Sequence, residues 1–159
     1  MASSVDSATF RALCGRFATG VVIVTAADAN GQPVGMTANS FTSVSLEPPL
    51  VSVNVDRQAE FHAVILAAPG FAINVLAHDQ ESLSRRFANP TSDRFDGVGY
   101  RRTERGLVVL SGVVTSIECE TLHTMPVGDH TIVVGRVVGG EAHDTRPLLY
   151  FRGGYHTLA

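Results

Sequence analysis

The stretch GMTANSFTSVSLEPPLVSVNVDR, Gly35 to Arg57, holds a close-set group of hydroxyl and amide side chains between two strand-like runs. Its first part, Gly35 to Ser45, carries Thr37, Asn39, Ser40, Thr42, Ser43 and Ser45. Hydroxyls and an amide at that density can offer several hydrogen bonds to one polar ligand edge, with backbone N–H groups beside them. The same composition also suits an ordinary exposed strand edge. Pro48 and Pro49 interrupt pairing, because proline lacks the N–H a ladder needs. Leu50 to Val55 then reads as a strand that ends at Asp56-Arg57.

Upstream, Asp6 or Ser7 is placed to cap a helix running to Phe17. Phe10, Leu13, Cys14 and Phe17 fall on one face of it at helical spacing. Val21 to Ala27 is short and β-branched, hence a strand. Asp28 to Gln32 contains the turn pair Asn30-Gly31, and Val34 to Met36 starts the return strand. Downstream, a helix is predicted over Ala59 to Ala67, with Phe61, Val64 and Ile65 apolar and Pro69-Gly70 as its stop. Phe71 to Leu76 is a strand, and Asp79 is placed to cap a helix through Phe87. Asn89 to Arg105 is polar and aperiodic, a surface excursion of the kind that often carries binding residues. Leu107 to Cys119, His130 to Val138 and Leu148 to Phe151 complete the strands. Many short strands with a few short helices predict a mainly β fold, an antiparallel barrel, as one domain over residues 1–159.

Composition removes several function classes. The formal net charge of −3 gives no electrostatic footprint for nucleic acid. No apolar run approaches the length of a membrane span, and the first residues lack a secretory pattern, so a cytoplasmic location is expected. All 12 basic residues are arginine. Without lysine there is neither a Walker-type phosphate loop nor a lysine Schiff base. Gly97 and Gly99 begin a dinucleotide spacing, but Arg102 stands where the third glycine belongs. No nucleophile-elbow motif or histidine pair at helical spacing is present. Cys119 and His123 have loose metal-ligand spacing but no second cysteine nearby, so no metal site is expected.

Beyond these patterns, the Gly35 to Arg57 stretch closely resembles the signature of the short-chain flavin reductases, the reductase components of two-component flavin monooxygenases. FATGVVIVT (Phe17 to Thr25), FAINVLAHDQESLSRRFA (Phe71 to Ala88), GDHTIVVGRV (Gly128 to Val137) and PLLYFRGGYHTL (Pro147 to Leu158) are similar to further segments of that family, in the same order. The resemblance implies a split β-barrel of antiparallel Greek-key type, FMN-binding-like, that forms a homodimer with the flavin near the subunit interface. It implies FMN or FAD as the flavin, NADH or NADPH as the reductant, and a partner monooxygenase supplied by diffusible reduced flavin.

Carried over by residue, Thr37, Ala38, Asn39 and Ser40 match the loop lining the flavin, with Ser43 following. Asp56 and Arg57 match the strand end near the flavin phosphate. Phe61 and His62 sit where the family closes over the cofactor. His130 matches the histidine that meets the nicotinamide, and is the one residue offered as catalytic. Tyr155 is a further cofactor-binding candidate. Read on residue type alone, Arg57 is also an ordinary solvated charge, and His130 a turn histidine opening a strand. Hydride transfer asks for near-contact geometry between the cofactors more than for side-chain acids and bases, so the lack of a triad is consistent. Two other readings share the barrel. One is a non-catalytic flavin-binding module. The other is a flavin oxidase of the pyridoxamine-phosphate type, for which Arg101, Arg102 and Arg105 would have to hold a second phosphorylated ligand.

Overall fold

The computed structural model describes residues 3–159. In chain order the elements are α1 (Ser7–Cys14), β1 (Thr19–Gly20), β2 (Val22–Ala27), β3 (Pro33–Ala38), β4 (Thr42–Leu46) and β5 (Pro49–Asp56). Then follow α2 (Glu60–Ala67), β6 (Gly70–Val75), α3 (Glu81–Ala88), β7 (Tyr100–Arg102) and β8 (Val108–Leu110). β9 (Thr115–Val127), β10 (His130–Ala142), β11 (Leu148–Phe151) and β12 (Gly154–Thr157) complete the chain. The fold is thus mainly β with three short helices, and every ladder between the strands is antiparallel.

Seven strands form the main sheet, in the order β3-β2-β6-β9-β10-β5-β4. β3 and β4 are consecutive in the chain yet lie at opposite edges, and no ladder joins them among the described residues. β2 is buried on both faces. Val22, Val24 and Ala26 enter one core with Val51, Val53 and Val55 of β5 and Phe71 and Ile73 of β6. Ile23 faces the other way, into a second core with Val21, Leu76, Phe87 and Leu148. The alternation follows from the two-residue period of a strand. α2 closes the first core with Phe61 and Ile65, and α3 closes the second with Phe87.

One polar group is buried where β2, β6 and β8 meet. The Asn74 amide donates to the Ile23 carbonyl (2.9 Å) and to Thr25 Oγ1 (3.0 Å), and its carbonyl accepts from the Leu110 N–H (2.8 Å). Thr25 Oγ1 in turn donates to the Val108 carbonyl at 2.5 Å. The network ties β8 onto the sheet where no continuous ladder reaches it.

Several expectations are corrected. α1 starts at the expected cap, Asp6, whose carboxylate accepts from the Thr9 N–H at 2.7 Å, but it ends at Cys14, short of Phe17. On the apolar face of the helix and just beyond it, Phe10, Leu13 and Phe17 are 58%, 61% and 79% exposed. Asp79 does not cap α3. Gln80 holds that position and uses its side chain to bind the Ala77 N–H and the Ser111 carbonyl. Leu107 to Cys119 is not one strand, because a turn at Ser111-Gly112 separates β8 from β9, and Gly112 takes φ +75° there. The excursion after α3 lies on the surface, pinned by Phe95 edge-on to Phe87 (4.9 Å between centroids) and by Arg94 donating to the Gly35 carbonyl at 3.0 Å.

Removing the Asn74 amide leaves the Leu110 N–H without its partner in a dry interior and takes one donor from Thr25 Oγ1. Asn74→Ala is expected to lower stability by roughly 2–4 kcal/mol, read from the urea unfolding midpoint at unchanged slope.

Candidate functional site

The decisive stretch begins with a glycine for a steric reason. A side chain at Gly35 would meet the Phe87 ring at 3.0 Å and the Val24 carbonyl at 3.2 Å, so only glycine lets α3 lie this close to β3. From there β3 runs outward and its last residues leave the core. Thr37 and Ala38 are half-buried and Asn39 is exposed. They form one wall of a groove of about 660 Å³. That volume lies within the range of small-molecule sites.

The groove gathers residues distant in sequence. Thr37, Ala38, Asn39 and Ser40 form one wall, and Asp56 from the end of β5 and His130 from the start of β10 lie in the same groove. The strand register brings Asp56 and His130 together, because they are direct partners in the β5–β10 ladder. His130 Nδ1 lies 2.7 Å from Asp129 Oδ1. That hydrogen bond, and then the charge of the imidazole, hold the Asp129 carboxyl below the usual carboxylate range. The pairing also orients the His130 ring.

Two of the hydroxyls in the stretch are already engaged. Thr37 Oγ1 donates to the Ser84 carbonyl at 2.7 Å. Ser40 Oγ accepts from the Asn54 N–H (3.0 Å) and donates to the Asn54 carbonyl (3.2 Å), linking the β3–β4 connection to β5. These side chains shape the wall. The hydrogen-bonding groups left facing the groove are the Asn39 amide and exposed backbone groups.

The remaining candidates lie outside this groove. Ser43 is exposed on β4, at the edge of the sheet. Arg57 is adjacent: its N–H donates to the Asp129 carbonyl (3.0 Å) and its guanidinium to the Gly128 carbonyl (3.4 Å). Arg57 therefore braces the β9–β10 turn that carries Asp129 and His130. Phe61 has no exposed surface and packs in the core, so it supports the wall from behind and does not close over it. His62 Nε2 lies 2.8 Å from Thr131 Oγ1, next to His130. Tyr155 lines a second, smaller cleft of about 210 Å³ that shares Thr37, Ala38 and Asn39 with the groove.

Sequence reasoning predicts the helix α1 but misses it as a wall of the groove. Ser7, Phe10 and Arg11 line the groove, and Arg11 is the one arginine on its wall among the described residues. The available signal is the helical stripe of Phe10 and Leu13, which spacing alone does not assign to a site. Among the described residues no cluster of three or more histidine, cysteine or acidic side chains stands close enough to hold a metal. Cys119 is buried, and desolvation, with a smaller contribution from the Glu118 charge, pushes its thiol up to about 12. It is thus an inert core thiol.

Comparison with known proteins fits this geometry. The chain is 44% identical over 152 residues to a probable flavin reductase of Rhizobium meliloti (strain 1021), covering 96% of this chain and 49% of that protein. It therefore spans about half of that relative's length. It is 37% identical over 155 residues to the reductase subunit HsaB of a flavin-dependent monooxygenase of Rhodococcus jostii (strain RHA1), covering 97% and 79% of the two chains. Among solved structures, the NADH:FAD oxidoreductase SgcE6 of Streptomyces globisporus C-1027, in complex with NAD and FAD fragments, superposes with a TM-score of 0.92. It is 38% identical, with 99% of this chain and 98% of that one covered. The flavin reductase like domain family matches residues 14–159, a span that contains every wall of the groove except its α1 side, and to that family this chain belongs.

Proposed function

We propose that the chain is an NAD(P)H:flavin oxidoreductase that passes hydride from NADH or NADPH to FMN or FAD. The observation that carries this reading is the convergence of Thr37–Ser40, Asp56 and His130 on one groove in a chain of this family. The residues suit a flavin. The wall offers an amide to a polar ring edge, Met36 and Ile132 give apolar contact, Arg11 on the wall brings positive charge, and Arg57 lies next to Asp56 just outside it. A bound flavin would supply the hydride acceptor. The protein's part is to hold the two cofactors in near-contact and keep them aligned. His130, oriented by Asp129, would hydrogen-bond the nicotinamide side, with His62 and Thr131 steadying the strand beneath it.

The reduced flavin would serve a partner monooxygenase by diffusion. The reading is supported by the HsaB relative, itself the reductase subunit of a flavin-dependent monooxygenase. The oxidase alternative gains nothing from the fold, since Arg101 pairs with Glu141, Arg102 binds the Gly106 carbonyl and Arg105 faces Glu118.

We further infer a single-domain split barrel that works as a homodimer in the cytoplasm. Val34 and Met36 of β3 pack against the same core as Val51, Val53 and Val55 of β5, and the Ser40 hydroxyl after β3 bonds Asn54 of β5, which supports barrel closure. The exposed stripe of Phe10, Leu13 and Phe17 beside the groove supports a second copy as its cover. No helix among the described residues is long and apolar enough to cross a membrane. The two cysteines are free thiols, which fits a reducing compartment.

Steady-state absorbance of NADH and NADPH with added FMN or FAD tests the activity, and a flat trace in all four combinations rejects it. His130→Ala is expected to raise the nicotinamide KM or slow reduction roughly three- to tenfold, as loss of one hydrogen bond would. Unchanged kinetics would remove this role for His130. Arg11→Ala and Arg57→Ala separate the phosphate contacts. Whichever touches phosphate should cost about 1.5–3 kcal/mol of FMN affinity while leaving riboflavin binding unaltered. Leu13→Asp is expected to turn a dimer into monomers in sedimentation equilibrium; a wild-type chain that sediments as a monomer removes the dimer.

A further inference from the structure

Ser84 lies in the middle of α3 with no solvent exposure, and it is one of few fully buried polar residues. Its hydroxyl lies 2.7 Å from the hydroxyl of Tyr155 on β12. Its carbonyl accepts the hydrogen bond from Thr37 Oγ1 on β3, also at 2.7 Å. One buried residue thus grips two side chains from elements far apart in the chain. Both line the smaller cleft, and Thr37 lines the main groove as well.

Other contacts hold these groups only partly. Tyr150 packs edge-on against the Tyr155 ring with 5.3 Å between centroids, and the Arg85 guanidinium lies 4.8 Å from that ring. These contacts fix the ring laterally and leave the phenol free to tilt. Only the Ser84 hydroxyl fixes its tip among the described residues. A half-buried tyrosine without that partner would swing toward water to solvate its hydroxyl, and the cleft wall would move with it.

We propose that Ser84 is a positioning residue for flavin binding, holding Tyr155 and the Thr37 strand as two sides of one site. The proposal rests on the flavin reductase reading above. Ser84 touches no ligand and acts only through its two partners. Replacing its side chain removes the Tyr155 limb and leaves the Thr37 limb, which uses the Ser84 backbone.

The test is flavin titration together with steady-state kinetics on Ser84→Ala, Tyr155→Phe and the double variant, using FMN and FAD. Ser84→Ala is expected to raise the flavin Kd and KM roughly three- to tenfold while kcat at saturating flavin stays within about twofold. Tyr155→Phe should raise Kd similarly. The double variant should match the single ones, because one shared hydrogen bond is lost once. A lower Tm with unchanged flavin Kd would make Ser84 a packing residue and overturn the proposal, as would effects that multiply in the double variant. Should Ser84→Ala fail to fold, Tyr155→Phe decides, since an unchanged Kd there overturns the proposal equally. A wild-type chain that binds neither flavin removes the functional reading itself. Wild-type binding with unaltered variants removes only the role of Ser84.

Discussion

The structure depends on a strand, β2, that is covered on both faces. A sheet with one wet face can end its core at the pleat, but here successive side chains of β2 enter two different cores. That arrangement needs a helix on each side. α2 comes between β5 and β6 to supply one cover, and α3 follows β6 to supply the other. It also creates a dry seam between the layers, in which the Asn74 amide is the group that satisfies backbone atoms of two neighbouring strands. The site is a consequence. β3 is held tightly at Gly35, where α3 lies against it, and leaves the core a few residues later. The groove forms where that strand end passes the ends of β5 and β10.

The parts of this arrangement legible in the sequence are those with a local cause. Val21 to Ala27 is β-branched and continuous because both faces are buried. The turn at Asp28 to Gln32 was legible because Asp28 satisfies it alone, accepting from the N–H groups of Asn30 and Gln32. Thr37 to Ser40, Asp56 and His130 were legible through the family signature, and the strand register brings them together. Less legible were features set by distant partners. Residues between Cys119 and His130 lie outside the strands predicted from sequence, and they contain Pro126. They continue β9 as an edge strand, since β6 pairs with β9 only as far as Glu120, and there the missing proline N–H costs no ladder bond.

The stripe on α1 shows a different limit. Apolar spacing says that a face will be covered, but it does not say by which chain. The spacing of Phe10, Leu13 and Phe17 therefore gives no reason to count the helix, or Arg11 on it, among the groove residues. The hydroxyls show the reverse case. Their density marked the right segment, yet two of them are spent inside the protein, and no pattern in Gly35 to Ser45 could reveal that Thr37 answers to α3 and Ser40 to β5.

Those two bonds bear on how the protein would meet its ligands. Thr37 and Ser40 lose their rotational freedom when the chain folds, not when a molecule arrives. The wall is therefore set in advance, and the entropy of ordering it is not charged against binding. For a carrier molecule that enters oxidised and leaves reduced, a wall that needs no rearrangement favours quick exchange at either step. Reshaping of this wall would then set no limit on turnover.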